Sequence, residues 1–93
     1  MNLNYASNLL FYGLIVTMYY YDSNQHHLPH IHVKYGDEEG VFYIGTGEMV
    51  SGYLPKPKIR LVQAWIEIHR EDLMANWELA IAGEKIYQIE PLK

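Results

Sequence analysis

The sequence predicts a single α+β domain, in which an antiparallel sheet of about four strands precedes a helical segment that is broken once and packs on one face. The length of 93 residues suits one hydrophobic core. Between residues 11 and 54, short apolar or alternating runs are separated by turn residues, and beyond Pro55 the apolar residues recur at helical spacing. One domain over residues 1–93 would then comprise an N-terminal segment (1–10), the sheet (11–54), the helical segment (57–82) and a short C-terminal strand or arm (85–92).

Composition limits the classes of protein and of site. Hydrophobic residues make up 49% of the chain and aromatic residues 14%, which is enough to close a core. The formal net charge of −4 disfavours binding to DNA or to an anionic membrane surface. The chain has no cysteine, so a metal would need imidazole and carboxylate ligands. The apolar run from Leu9 to Tyr21 is too short to span a bilayer and has no basic leader, so we expect a cytoplasmic protein.

The first strand is predicted from Phe11 to Tyr21, because aromatic and β-branched residues predominate there and Gly13 disfavours a helix. The parity expected to face the core contains Tyr12, Leu14, Val16, Met18 and Tyr20. After a loop, polar and apolar residues alternate from His30 onward. The polar set is His30, His32 and Lys34, and the apolar set, expected to face the core, is Ile31, Val33 and Tyr35.

Turn residues separate the remaining strands. Residues 36–40 predict a turn, 41–44 a third strand, 45–47 a second turn and 48–53 a fourth strand. Because the connections between successive strands are short, the sequence favours an antiparallel meander.

The helical segment has recognisable ends and one apolar stripe. Pro57 suits a first helical turn, where its missing N–H is not needed, and Gly83 is a typical C-terminal stop. The predicted apolar stripe contains Ile59, Val62, Trp65, Ile66, His69, Leu73, Trp77 and Ala80, and the opposite face contains Arg60, Gln63, Glu67, Glu71 and Glu78. An unbroken helix of roughly 25 residues would be about 37 Å long, too long for so small a domain. We therefore expect a break or kink near His69–Asp72, where Asp72 is a candidate cap of a second helix.

The candidate site is the histidine-rich segment from His26 to Gly36, which holds four of the five histidines within seven residues. His30 and His32 project from one face of a strand about 6.5–7 Å apart, as two ligands of a metal would. A third ligand would have to come from His26, His27 or Asp22. We favour no metal and no other cofactor, because the pair alone supplies too few ligands.

Two further interpretations of the same residues stay open. His30 and His32 suit a general acid and a general base acting on a phosphodiester, with Lys34 stabilising the developing negative charge, as in a metal-independent ribonuclease or phosphodiesterase. The three side chains are equally typical of the solvated face of a sheet that carries no chemistry. His69 lies mid-stripe on the helix, where we expect a core histidine with one hydrogen-bond partner.

Tyrosine is abundant, with nine residues, and two of them bear on the candidate site. Tyr19 and Tyr21 would share a face with His30, His32 and Lys34. Such a surface can stack a base and hold a phosphate, or it can form an interface with a protein, where tyrosine is enriched. Because basic residues are few, we favour the protein interface over extended RNA.

Several motifs resemble one family in their order along the chain: "FYGLIVTMYYYD", "LPHIHVKYG", "GYLP", "LVQAWIEIHREDLMANWELAIAGE" and "IEPL". The most specific are Pro29-His30-x-His32, and Trp65-x-x-x-His69 followed by Asn76-Trp77. Together they are similar to the small prokaryotic proteins of domain of unknown function 4160, from about Phe11 to Leu92. The family's usual Asp-His-x-Pro-Pro-His loop is "DSNQHHLPH" here, so its upstream histidine has no direct counterpart.

The resemblance implies a partner protein and an RNA- or nucleotide-related role, because such proteins are similar to those encoded beside another small protein in arrangements like toxin–antitoxin pairs. We therefore predict a small cytosolic prokaryotic or phage module that binds a cognate protein, itself or a small ligand, without DNA or membrane. The predicted binding residues are Tyr19, Tyr21, His30, His32 and Lys34. The alternatives are the ribonuclease with His30, His32 and Lys34 as its catalytic residues, and a protein that sequesters a nucleotide.

Overall fold

An antiparallel five-stranded sheet and one long helix form the fold of residues 5–19 and 28–92, the part of the chain that the computed structural model describes, with side chains from Phe11 onward. The elements are β1 (Tyr5–Phe11), β2 (Leu14–Tyr19), β3 (His30–Tyr35), β4 (Glu38–Tyr43), β5 (Met49–Gly52) and α1 (Lys56–Ile81). The strands lie in chain order and each pairs antiparallel with the next. The predicted α+β class and antiparallel meander are confirmed.

The first predicted strand is wrong, because residues 12 and 13 form a tight turn between two strands. Tyr12 and Gly13 both have positive φ, 50° and 77°, which is the backbone of the two-residue turn that joins twisted antiparallel strands. Phe11 and Leu14 pair across this turn. The sheet therefore begins inside the predicted N-terminal segment. The core position predicted for Tyr12 is wrong, because the turn leaves Tyr12 exposed and buries Phe11 instead.

The second hairpin turn is also tighter than predicted. Gly36, with φ 60°, and Asp37 alone connect β3 to β4, so Glu38 and Glu39 belong to a strand and not to a turn. A glycine at the first central position supplies the positive φ that such a turn requires. As a result Glu39 lies directly opposite Lys34.

The core lies between one face of the sheet and α1. The strand residues that fill it are Phe11, Leu14, Val16, Met18, Ile31, Val33 and Phe42, joined by Ile44 from the turn after β4. The buried residues of the helix are Val62, Trp65, Ile66, Leu73, Asn76, Trp77 and Ala80. The apolar parities predicted for β2 and β3 are thus correct for Leu14 to Met18 and for Ile31 and Val33. Tyr20, also predicted for the core, lies outside the described residues.

The helical segment is a single helix, α1, with a kink at His69, within the stretch where a break or kink is predicted. Its backbone leaves the helical conformation at His69 (φ −112°, ψ 21°), but the helix continues to Ile81, so Asp72 lies within it and caps no second helix. Pro57 is in the first turn as predicted. After the C-cap, Gly83 (φ 76°) donates to the Ala80 carbonyl and Glu84 donates to the Leu79 carbonyl, which is the Schellman arrangement of a glycine-terminated helix.

Residues 84–92, which we call the C-terminal arm, form no strand. They run as irregular backbone against the core through Ile86, Ile89 and Leu92, which are partly buried. Within the two described ranges, α1 is too polar to qualify as a membrane span.

Candidate functional site

The candidate site lies on the face of the sheet that carries His32 and Lys34, which we call the histidine face; His30, at the start of β3, lies at its edge and also contacts α1. The register places Ile15 beside Lys34 and Thr17 beside His32 between β2 and β3. Between β3 and β4, the register places His30 beside Tyr43, His32 beside Val41 and Lys34 beside Glu39. The described members of the histidine face are Ile15, Thr17, Tyr19, His30, His32, Lys34, Glu39, Val41 and Tyr43. The alternation predicted from His30 to Lys34 therefore gathers these three side chains as expected.

His30 is a buried residue at the start of β3. Only 1% of its surface is exposed, and its ring centroid lies 5.0 Å from that of Trp77 on α1. Its Nδ1 lies 2.7 Å from the carbonyl oxygen of Leu28. Because a carbonyl can only accept, Nδ1 carries the proton and donates this bond. His30 thus ties the chain before β3 to the sheet and to the helix.

His32 is more accessible and is paired with a carboxylate. Its side chain is 16% exposed, and Nδ1 lies 2.9 Å from Oε2 of Glu39 on the next strand. The Tyr19 ring meets the imidazole edge-on, with 4.7 Å between centroids and an interplanar angle of 88°. The centroids of His30 and His32 are 5.4 Å apart. These contacts fix the orientation of His32.

The exposed part of the histidine face is at its other end. Lys34 is exposed, and its two register partners are Ile15, which is 40% exposed, and Glu39. Glu39 was missed by the sequence reasoning because residues 36–40 were assigned to a turn. The Gly36-Asp37 dipeptide was the signal that could have shortened the turn and placed Glu39 opposite Lys34.

Several residues of the predicted site lie outside the described part of the chain. These are Tyr21, Asp22, His26 and His27. Within residues 5–19 and 28–92, no group of three or more histidine, aspartate or glutamate side chains is placed to hold a metal ion. His32 and Glu39 provide two donors, fewer than the three or four of a protein zinc site.

His69 lies on the helix and faces the core side. Its ring centroid is 5.7 Å from that of Trp65, and Nδ1 is 3.9 Å from Oδ2 of Asp72, which is too long for a hydrogen bond. Because α1 packs against the face that carries Ile31 and Val33, His69 belongs to the packing of the helix and not to the histidine face.

Two residues of the Asn-Trp motif have contacts that the sequence reasoning did not assign. Trp77 supports His30, as described above, and Asn76 is a buried amide that binds the C-terminal arm. The sequence does contain a signal for Asn76. It is a polar residue next to Trp77 of the apolar stripe, and an amide buried there must find hydrogen-bond partners.

Comparison with known proteins gives one family match. The model of the family described as Domain of unknown function (DUF4160) matches residues 13–78. The matched range includes β2 to β5 and most of α1, and with them every described residue of the histidine face. It ends before the C-terminal arm. No curated protein and no solved structure matches the chain.

Proposed function

The chain belongs to the DUF4160 family, and we propose that it is a binding module whose histidine face engages a cognate protein in a pair of the toxin–antitoxin type. The observation that carries the proposal is the exposed end of the histidine face. There an accessible aliphatic side chain, Ile15, lies beside charges of both signs on Lys34 and Glu39. Such a mixture of apolar and charged groups is typical of a non-obligate protein interface.

The charges near Lys34 favour a protein over a nucleotide. A phosphate bound at Lys34 would also meet the carboxylate of Glu39, which lies directly opposite on β4. The adjoining turn adds the acidic residue Asp37. This local balance of charge suits a partner that presents both signs, such as another protein, better than a polyanion.

The burial of His30 favours binding over catalysis. A general acid or base must come within hydrogen-bond reach of the atom that gains or loses the proton. His30 is enclosed, and its Nδ1 is occupied by the Leu28 carbonyl. Of the two histidines that a ribonuclease would need, only His32 is accessible. Its Nδ1 is hydrogen-bonded to Glu39. A protein-binding role requires no such access to His30, which instead ties the start of β3 to the Leu28 carbonyl and to Trp77.

The experiment that tests this proposal compares two lysines. We would measure by calorimetry the affinity of the chain for the protein encoded beside its gene, with Lys34→Glu and, as a control, Lys56→Glu. Lys56 is also exposed but lies at the start of α1. Lys34→Glu is expected to weaken binding more than about tenfold, which corresponds to about 1.4 kcal/mol, and Lys56→Glu to change it less than about twofold.

Three results would overturn the proposal. The first is equal affinity of both variants and the wild-type chain for the partner. The second is cleavage of RNA that is lost in His32→Ala while the fold is kept, which would identify a ribonuclease. The third is a rise in melting temperature with a mono-, di- or cyclic nucleotide that Lys34→Glu abolishes, which would identify a nucleotide-binding protein.

A further inference from the structure

The C-terminal arm occupies a groove between the sheet and α1, on a different surface from the histidine face. The groove, which we call the arm groove, is lined by Val16, Met18, Ile31, Trp65, Leu73 and Asn76. Residues 86–89 of the arm line the same half-open groove, whose remaining free volume is about 30 Å³. The arm therefore completes the cover of the core between β2, β3 and the helix.

Two buried side chains of α1 bind the backbone of the arm. Asn76, 3% exposed, donates from Nδ2 to the Tyr87 carbonyl (2.8 Å) and accepts at Oδ1 from the Tyr87 N–H (3.0 Å). Trp65 donates from Nε1 to the Glu90 carbonyl (2.8 Å). The side chains of Tyr87 and Glu90 are themselves exposed. The helix thus binds peptide groups of the arm three residues apart.

The apolar residues of the arm have the same period. Ile86, Ile89 and Leu92 pack against the core cluster, and the residues between them are exposed or half-buried. A spacing of three residues is typical of an extended segment in a polyproline-like conformation, which has three residues per turn and no internal hydrogen bonds. The arm groove therefore has the features of a site that binds an extended peptide through its backbone and every third side chain.

We propose that the arm groove also takes the arm of a second copy of the chain, so that two copies associate by exchanging arms. An arm from an identical chain makes every contact described above, so exchange preserves the contact energy and depends on the connecting segment and on protein concentration. The groove residues lie within the family match of residues 13–78, and the arm lies beyond it.

The connection between α1 and the arm suits exchange. Residues 82–85 are exposed, and the hydrogen bonds of Gly83 and Glu84 go back to the helix end and not to the groove. The arm can therefore leave its own groove by rotation of the backbone at Glu84 and Lys85 while the helix keeps its terminus. This inference does not depend on the proposed function, because it uses no residue of the histidine face.

A cross-linking experiment with the full chain tests the inference. The chain has no cysteine, so we would prepare two single-cysteine variants, Ala75→Cys on the helix and Gln88→Cys on the arm. Both positions are exposed and both line the same shallow depression between the helix and the arm. The two variants, one of them labelled with ¹⁵N, are mixed at high concentration and treated with a short bismaleimide, and the products are identified by mass spectrometry. Exchange predicts a labelled–unlabelled dimer joined from position 75 to position 88.

The controls separate arm exchange from other association. A chain carrying both cysteines must cross-link within itself, which shows that the reagent spans the two positions. Adding Asn76→Ala to the Ala75→Cys chain should leave the final amount of 75-to-88 dimer unchanged, because its groove holds one arm before and after exchange, but should speed dimer formation more than about tenfold, because two hydrogen bonds no longer retain the arm. Adding Lys34→Glu should change neither the amount nor the rate.

The inference is overturned if the doubly substituted chain cross-links internally while the mixture gives no 75-to-88 dimer. It is also overturned if a mixture of Ala64→Cys and Gln88→Cys, in which Ala64 is exposed elsewhere on α1, gives as much mixed dimer. If Asn76→Ala unfolds the chain, Trp65→Phe, which removes only the bond to Glu90, replaces it with the same expected direction.

Discussion

His30 and His32 are two positions apart on one strand and one face, but their surroundings give them different roles. His30 is enclosed by Trp77 and bound to a backbone carbonyl, whereas His32 is partly exposed and paired with Glu39. A buried side chain contributes through both its packing and its hydrogen bond, and a hydrogen bond between partly exposed side chains contributes less. The first residue therefore acts on stability and the second on the surface of the molecule.

Replacing each histidine by alanine should separate these roles. His30→Ala is expected to lower the free energy of unfolding by about 2–3 kcal/mol, because it opens a cavity beside Trp77 and leaves the Leu28 carbonyl without its donor. His32→Ala is expected to lower it by about 1 kcal/mol or less. Urea unfolding followed by circular dichroism measures both values. Equal losses for the two variants would contradict the structural role assigned to His30.

Tyr12 is a second residue whose backbone determines the outcome of substitution. It is the one described non-glycine residue with positive φ, and its side chain is 51% exposed. Asparagine adopts this conformation more readily, so Tyr12→Asn should raise the free energy of unfolding by about 0.5–1 kcal/mol. The bond from Lys58 Nζ to residue 12 is made to the backbone oxygen and is kept. The same denaturant titration applies, with Tyr53→Asn, at an exposed position without positive φ, as the control; a loss of stability in Tyr12→Asn would refute the expectation.

At the scale of elements, the pairing of β4 with β5 depends on one glycine. Gly52 has φ 85°, and a Cβ at this position would collide with the backbone oxygen of Glu39 on the neighbouring strand. The short edge strand can approach β4 only because the side chain is missing. The hydrogen bond from the Tyr53 N–H to the Glu39 carbonyl (3.0 Å) lies at the same point.

Gly52→Ala is therefore expected to lower the free energy of unfolding by at least about 2 kcal/mol, since both backbone strain and a collision oppose it. Gly45→Ala is the matched control, because a Cβ at this position would have no other atom within 4 Å and the φ of Gly45 is not in the positive region. That change should alter stability by less than about 0.5 kcal/mol. Thermal and urea unfolding of the two variants provide the comparison, and similar losses in both would show that the approach of β5 to Glu39 does not need glycine.

The arm and the helix form another element-scale pair. Asn76→Ala removes the two hydrogen bonds to the backbone N–H and carbonyl of Tyr87, so the Tyr87 amide should exchange with solvent at least about tenfold faster in the variant. Hydrogen exchange measured by NMR or mass spectrometry reports this change. Glu71→Ala, on the exposed face of α1, provides the control. Unchanged protection of the arm in Asn76→Ala would mean that Ile86, Ile89 and Leu92 hold it without the amide.

At the scale of the whole molecule, one core joins both halves of the kinked helix to the sheet. Trp65, before the kink, packs against Phe11 with 5.5 Å between ring centroids, and Trp77, after it, packs against His30. Both tryptophans belong to a single cluster of buried residues. The irregular backbone at His69 therefore does not divide the molecule into units with separate cores.

The molecule should accordingly unfold in one cooperative transition. In the single-tryptophan variants Trp65→Phe and Trp77→Phe, the remaining indole reports on one half of the helix, and its fluorescence midpoint should equal the midpoint seen by circular dichroism for the same variant. Each variant is its own control, since its stability differs from that of the wild type. A fluorescence midpoint that departs from the dichroism midpoint by more than the experimental error would show that the two halves unfold separately.

Much of this architecture follows from local sequence features. The apolar stripe from Val62 to Ala80 repeats at helical spacing, and Gly83 is a local stop signal. In the structure the stripe is buried and Gly83 ends the helix, as the sequence predicts. The alternation from His30 to Lys34 likewise fixes which side chains share a face. The first hairpin was missed because its Tyr12-Gly13 turn interrupts a continuous apolar run and lacks the asparagine or aspartate that usually marks such a turn.

The sequence by itself determined the α+β class, the helix and the face on which the candidate site lies, because backbone preference and side-chain periodicity act over a few neighbouring residues. Only the tertiary structure decided that His30 is enclosed, that Glu39 pairs with His32, and that Asn76 holds the arm. Each of these depends on a partner from another strand, the helix or the arm. The burial and hydrogen bonding of a polar side chain depend on the groups that pack against it in three dimensions. The spacing of residues along the chain does not specify those groups.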